Sequence, residues 1–169
     1  MLTRPDRSEY ADFYVNYIAR VPDGDVIAFL STQPGAYRKL LGSLSDEAAS
    51  ARPQPGNWNV KEIIGHLCDA ERIQSYRALR FARGDQKELH GFEQDDYVRE
   101  AHSDERGLSD LLDEFEGIRN STLALFKSFP QEAWQRSGPA NGAPVTVRAM
   151  AYIIAGHTQH HYASLKARS

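Results

Sequence analysis

The 169 residues carry a formal charge of -3, a pI near 6.1 and scattered basic side chains. That is the size of one domain, without the positive patch that a nucleic-acid backbone requires. The N-terminal MLTRPDRSEY is polar, and no apolar run approaches the roughly 18 residues of a membrane span, which points to a cytoplasmic protein with neither nucleic acid nor membrane as partner.

The single cysteine, Cys68, excludes an internal disulfide and any multi-cysteine zinc site. Stability must come from packing, and a metal centre would have to rest on histidines and carboxylates.

A single domain is expected over 1–169, with residues 1–22 as an N-terminal arm whose aromatic segment SEYADFYVNYI (8–18) can form a short helix against the rest. Four apolar stripes of helical period follow. The first, 25–44, carries Val26, Phe29, Leu30, Tyr37, Leu40 and Leu41 on one side, and Pro34 inside it predicts a kink or a split. A Pro55-Gly56 turn precedes the second, about 60–83, where Asn59 and Glu62 read as a reciprocal N-terminal cap and Gly84 as the stop.

In the third stripe Leu108, Leu111, Phe115, Ile118, Thr122, Leu125 and Phe129 recur in steps of three and four, as a bundle seam does. Ser103 is the expected cap and Pro130 the stop, with PQEAW as one extra turn. Residues 136–144, RSGPANGAP, read as a turn-rich loop, and Thr146 can cap a last helix, VRAMAYIIAGHTQHHYASLKA.

Alternating strand patterns with hairpin turns are essentially absent. The expected fold is therefore all-α, a four-helix bundle. The connection 84–104 is far longer than a neighbouring antiparallel pair needs, so it can cross the bundle end, leave helices two and three parallel, and cover a site.

Three of the six histidines fall in GHTQHH, 156–161. With Ile154 at zero on the last helix, Val147, Met150 and Leu165 fall within about 40°, His161 at about -20° and His157 at about -60°. His160 falls at about -120°, at the edge of that buried stripe. On the second helix His66 lies between Ile63 and Ile73 and also faces inward, whereas Cys68 points about 200° away from it. Asp69 leans toward solvent. Three inward imidazoles in an apolar bundle are costly unless something satisfies them, and a shared metal would satisfy all three. The bland alternative is hydrogen bonding to backbone or to the hydroxyls of Tyr14, Tyr17 or Tyr152. His90 and His102, in the charged crossover, read as solvent-exposed.

NWNVKEIIGHLCDAE, followed some ninety residues later by GHTQHH, resembles the DinB-like superfamily, and most closely its YfiT branch of proteins named as metal-dependent hydrolases. YVNYIARVPDGD and FEQDDYVREA extend the resemblance over nearly the whole chain. The resemblance implies a four-helix bundle with an up-down-down-up path and a metal, zinc or nickel, held by the residues matching His66, His157 and His161. It also implies a homodimer, and a small-molecule substrate that in some members is a low-molecular-weight thiol such as bacillithiol. A mycothiol-dependent maleylpyruvate isomerase belongs to the same superfamily. Pro34 and Cys68 depart from what the resemblance leads one to expect.

Three neutral imidazoles leave a divalent ion with open positions, the arrangement of a catalytic site. Such an ion can generate hydroxide for hydrolysis or activate a thiolate for transfer, with the same protein residues in both cases. No catalytic acid or base is identified; Glu71, Asp95, Asp96 and Tyr97 are the candidates for supporting groups. Two non-enzymatic alternatives stand beside these: a closed metal-binding or sensing site with His160, Asp95 or Asp96 as fourth ligand, and a helical dimerisation module with structural histidines.

Overall fold

The structure, a computed structural model, describes residues 2–168. Its main elements are α1 (Val15–Ile18), α2 (Val26–Leu41), α3 (Asp46–Ser50), α4 (Val60–Ala82), α5 (Gln94–Ala101), α6 (Leu108–Lys127), β1 (Ser137–Ala140), β2 (Ala143–Thr146) and α7 (Val147–Lys166). The four long helices α2, α4, α6 and α7 form the bundle. None of the described helices is long and apolar enough to cross a membrane.

Paired residues fix the directions. Gln33 and Tyr37 of α2 bond the carbonyls of Ala155 and Thr158, so α2 and α7 run parallel. Gly65 lies beside Ser103, just before α6, and Glu71 pairs with Arg119, so α4 and α6 are parallel too. His66 approaches both His157 and His161 while Phe81 packs in one cluster with Val147, so α4 opposes α7. The path is up-down-down-up, and the crossover between α4 and α6 that this requires carries α5.

The ends of α4 and α7 follow from local chemistry. Asn59 accepts from Glu62 N–H while Glu62 accepts from Asn59 N–H, both at 2.9 Å. Thr146 Oγ1 accepts from Ala149 N–H at 3.0 Å. Helix α6 begins differently from expectation. Ser103 is buried in a short 3-10 turn, and Asp46 at the start of α3 accepts the Leu108 N–H at 2.7 Å.

Two further expectations are corrected. Residues 137–146 form an antiparallel hairpin, not an irregular loop, with Ser137 opposite Thr146 and Ala140 opposite Ala143. Its two-residue turn is Asn141-Gly142, both at positive φ (53° and 78°), a conformation that asparagine tolerates and glycine adopts freely. Of the kink or split expected at Pro34, the split does not occur: helix α2 is continuous through it.

The reason for that continuity lies in the core. Proline has no N–H to give the Leu30 carbonyl one turn back. Arg119 Nη1 donates to that carbonyl at 2.7 Å. The same guanidinium bonds Gln33 Oε1, Thr158 Oγ1 and both carboxylate oxygens of Glu71, so each of its five N–H groups has an acceptor. Arg119 is 0% exposed. It joins all four bundle helices.

Candidate metal centre

His66 faces into the bundle from α4, and His157 and His161 lie one turn apart on α7. His66 Nε2 is 3.0 Å from His157 Nε2, which is 3.2 Å from His161 Nε2. The ligand-capable atoms of the three all lie within 4.8 Å of one another. His160 sits outside the group, edge-on to Tyr17 at a centroid distance of 5.5 Å.

The spacing suits an ion. Two imidazole nitrogens bound to one metal at 2.0–2.1 Å stand about 2.9 Å apart at a right angle and about 3.3 Å apart at the tetrahedral angle. The two observed separations fall between these limits. Hydrogen bonding alone fits poorly, because His157 Nε2 has one in-plane lone pair or one N–H and two imidazole neighbours.

Charge state supports the same fit. Burial lowers His66 to about 4, with the Asp95 carboxylate partly opposing it. Burial, with the neighbouring His66, lowers His161 to about 3. Burial and the adjoining imidazoles push His157 well below the ordinary histidine value. All three rings are neutral near pH 7, with nitrogen lone pairs free for an ion.

Aromatic packing holds the rings. Trp58, next to the α4 cap, lies 4.8 Å from the His66 ring and stacks at 18° on His161. Tyr17 of α1 meets the His157 ring edge-on at 5.3 Å. Helix α1 can lie this close because residue 156 is glycine: a Cβ there would be 2.0 Å from the Tyr17 carbonyl oxygen. His66 Nδ1 is buried and has no hydrogen-bond partner among the described residues, so packing against Trp58 supports the ring on that side.

A cavity of about 300 Å³ opens beside His66 and His157. Its walls include Tyr17, Gln74, Arg77, Phe92 of the crossover and Asn141 of the hairpin turn. The crossover therefore covers the site, as its length suggested. On the other side of the cluster, Asp95 and Gln94 share a shallow opening with Trp58 and His161.

Of the supporting groups expected, only Asp95 is near the histidines. Glu71 is taken by Arg119, Asp96 pairs with Arg99, and Tyr97 packs on Phe92 and is exposed. His90 and His102 are exposed, as expected. Tyr152 donates to the Leu2 carbonyl and takes no part. Cys68 is buried in the other apolar cluster. Sequence reasoning missed Gln74 and Arg77. The available signal was spacing: Arg77 follows His66 by eleven residues, about three helical turns, and so lies on the same face of α4.

Comparison with known proteins agrees with this architecture. The family model for the DinB superfamily matches residues 30–165. A Geobacillus thermodenitrificans protein named "Putative metal-dependent hydrolase" is 24% identical over 143 residues, covering 82% of this chain and 79% of its own. One from Oceanobacillus iheyensis with a similar name is 22% identical over 140 residues, covering 81% and 79%.

Among solved structures, YfiT from Bacillus subtilis, described as a probable metal-dependent hydrolase with an unusual four-helix bundle topology, superposes with a TM-score of 0.72. It does so at 15% identity, over 98% of this chain and 93% of its own. A mycothiol-dependent maleylpyruvate isomerase superposes at 0.69 and 12% identity over 88% of this chain, which spans only 62% of that structure. With the profile spanning most of its length, the chain belongs to the DinB superfamily.

Proposed function

We propose that the protein is a metal-dependent hydrolase of small molecules, in which His66, His157 and His161 hold a divalent ion, zinc or nickel, with coordination positions left open to the cavity. The observation that carries this is the convergence of three neutral imidazole nitrogens at separations of 3.0 and 3.2 Å. When bound, such an ion would supply a water of lowered pKa or a polarised substrate oxygen.

The chain's own residues do the rest. Trp58 and Tyr17 fix the imidazole planes and keep bulk water from the rings. Asp95, at the outer rim beside His161, is the carboxylate placed to take up a proton released there. The crossover closes the cavity around a small substrate.

Thiol transfer is the second reading. It would use the same imidazoles with a low-molecular-weight thiol as partner, and the fold shared with the mycothiol-dependent isomerase favours it.

Elemental analysis of the wild type and of a His66→Ala, His157→Ala, His161→Ala triple variant tests the site. About one ion per chain is expected in the first and none in the second; chelation should lower the melting temperature of the wild type alone. Equal metal in both proteins would sink the assignment. Metal-dependent cleavage of esters or amides without thiol supports hydrolysis, and turnover that requires thiol plus an electrophile supports transfer.

A further inference from the structure

Three arginines are buried among the described residues, and they are treated differently: Arg148 is paired with Glu9 of the N-terminal arm, Arg119 with Glu71, and Arg77 with no carboxylate. Arg119 is neutralised by Glu71 and bonded at all five donors. Arg77, 3% exposed, makes one side-chain hydrogen bond, from Nη2 to the His90 carbonyl of the crossover at 2.7 Å. Among the described residues no carboxylate lies within ion-pair distance of it.

A buried guanidinium without a counter-ion is costly, because it has left water and gained little in return. Arg77 lines the cavity that also holds His66 and His157. One turn nearer to His66, Gln74 Oε1 is buried in the same wall and has no hydrogen-bond partner among the described residues. The cavity thus offers an unneutralised cation and an unmatched acceptor side by side, with the imidazoles at its other end. The Cα of Arg77 is about 16 Å along the helix from that of His66, and side chains on a helix tilt toward its N-terminus, which brings the guanidinium back toward the histidines.

We propose that Arg77 anchors a carboxylate of the substrate, that Gln74 accepts from an N–H or O–H adjoining it, and that the cavity therefore selects small monoanionic acids whose reacting group reaches the histidines. This deepens the hydrolase reading and rests on it for the second half. The planar guanidinium fork matches a carboxylate in bidentate fashion. A single guanidinium balances one negative charge, so a phosphate dianion is disfavoured.

The test measures binding of N-acetylglycine, its neutral amide N-acetylglycinamide, and inorganic phosphate by calorimetry. Wild type, Arg77→Met and Gln74→Glu are compared, each checked for cooperative melting. Gln74→Glu leaves the Arg77–His90 bond in place and brings an internal counter-ion, so it serves if Arg77→Met does not fold.

The wild type should prefer the acid over the amide by about tenfold or more, with phosphate weaker than the acid, and both variants should lose that preference while still binding the amide. No preference in the wild type, or one that survives in the variants because the acid sits on the metal, overturns the proposal, as does phosphate binding tighter than the acid. Repeating the wild-type comparison after chelation separates the two ideas. A preference that persists in a protein that never held metal would sink the metal centre and leave the anchor, whereas intact metal content without preference would do the reverse.

Discussion

Replacing Glu71 with glutamine separates a stability role from a site role for a residue that sequence reasoning had placed near the metal. Glu71 Oε1 and Oε2 accept from Arg119 at 2.7 and 2.8 Å, with both side chains out of solvent. Glu71→Gln keeps the shape and one acceptor but leaves the guanidinium without its counter-charge. Breaking one partner of a buried pair costs about 3–5 kcal/mol. For a chain of 169 residues the unfolding entropy is about 0.35 kcal/mol/K, so the melting temperature should fall by roughly 8–14 °C. The assay is a thermal melt at pH 7, with metal content measured on the folded variant roughly 20–30 °C below its midpoint. A melt within about 3 °C of wild type would refute the energetic reasoning. Loss of metal from the still-folded variant would refute the assignment of Glu71 to the core network.

Cys68 is 1% exposed, and burial, aided by Glu114, raises its thiol to about 12. An aromatic disulfide reagent at about pH 8 should leave it unreacted in the folded protein and modify it fully in guanidinium; rapid reaction without denaturant would contradict the packing. The N-terminal arm should respond to acid. Burial alone would raise Glu9, but hydrogen bonds from Arg148, Thr146 and the Asp6 N–H outweigh it and hold the carboxyl below its usual 4.5. The contribution is therefore present above pH 4.5 and is lost as the pH falls through the lower folded value. Limited proteolysis should cut residues 2–14 faster in that acid range than at pH 6 in wild type, and Glu9→Gln should remove the pH dependence; an arm equally protected at both pH values would count against the clamp.

Much of the bundle was legible because its signals are local. Asn59 and Thr146 cap helices through backbone groups three residues on, and one helical angle per residue was enough to part His157 and His161 from His160. What was missed depended on distant partners. Asp46, not Ser103, caps α6, and nothing within residues 100–108 announces a donor acceptor pair made across 62 positions. Arg119 occupies the face of α6 between Phe115 and Thr122, where a charge reads as a break in the seam until Glu71 is seen opposite. Pro34 looked like a breaker because its missing hydrogen bond could be counted but its replacement could not. The hairpin is the exception: Asn141-Gly142 was a local signal, outweighed by the prolines and glycines around it that resemble an irregular loop.

The Arg119 network also bears on how the chain finds its topology. Its partners lie 39 to 89 positions away on three other helices. Apolar stripes of similar width could interlock in more than one order around a bundle, since Leu and Phe faces discriminate weakly among neighbours. A guanidinium discriminates sharply: in any arrangement that seals Arg119 away from Glu71 it is stranded, at a cost of several kcal/mol. The proline adds direction, because the open Leu30 carbonyl marks one turn of one helix. A misassembled bundle would thus be penalised at a single side chain, and α2, the first of the long helices in the chain, meets the last through Gln33 and Tyr37 as well as through this network.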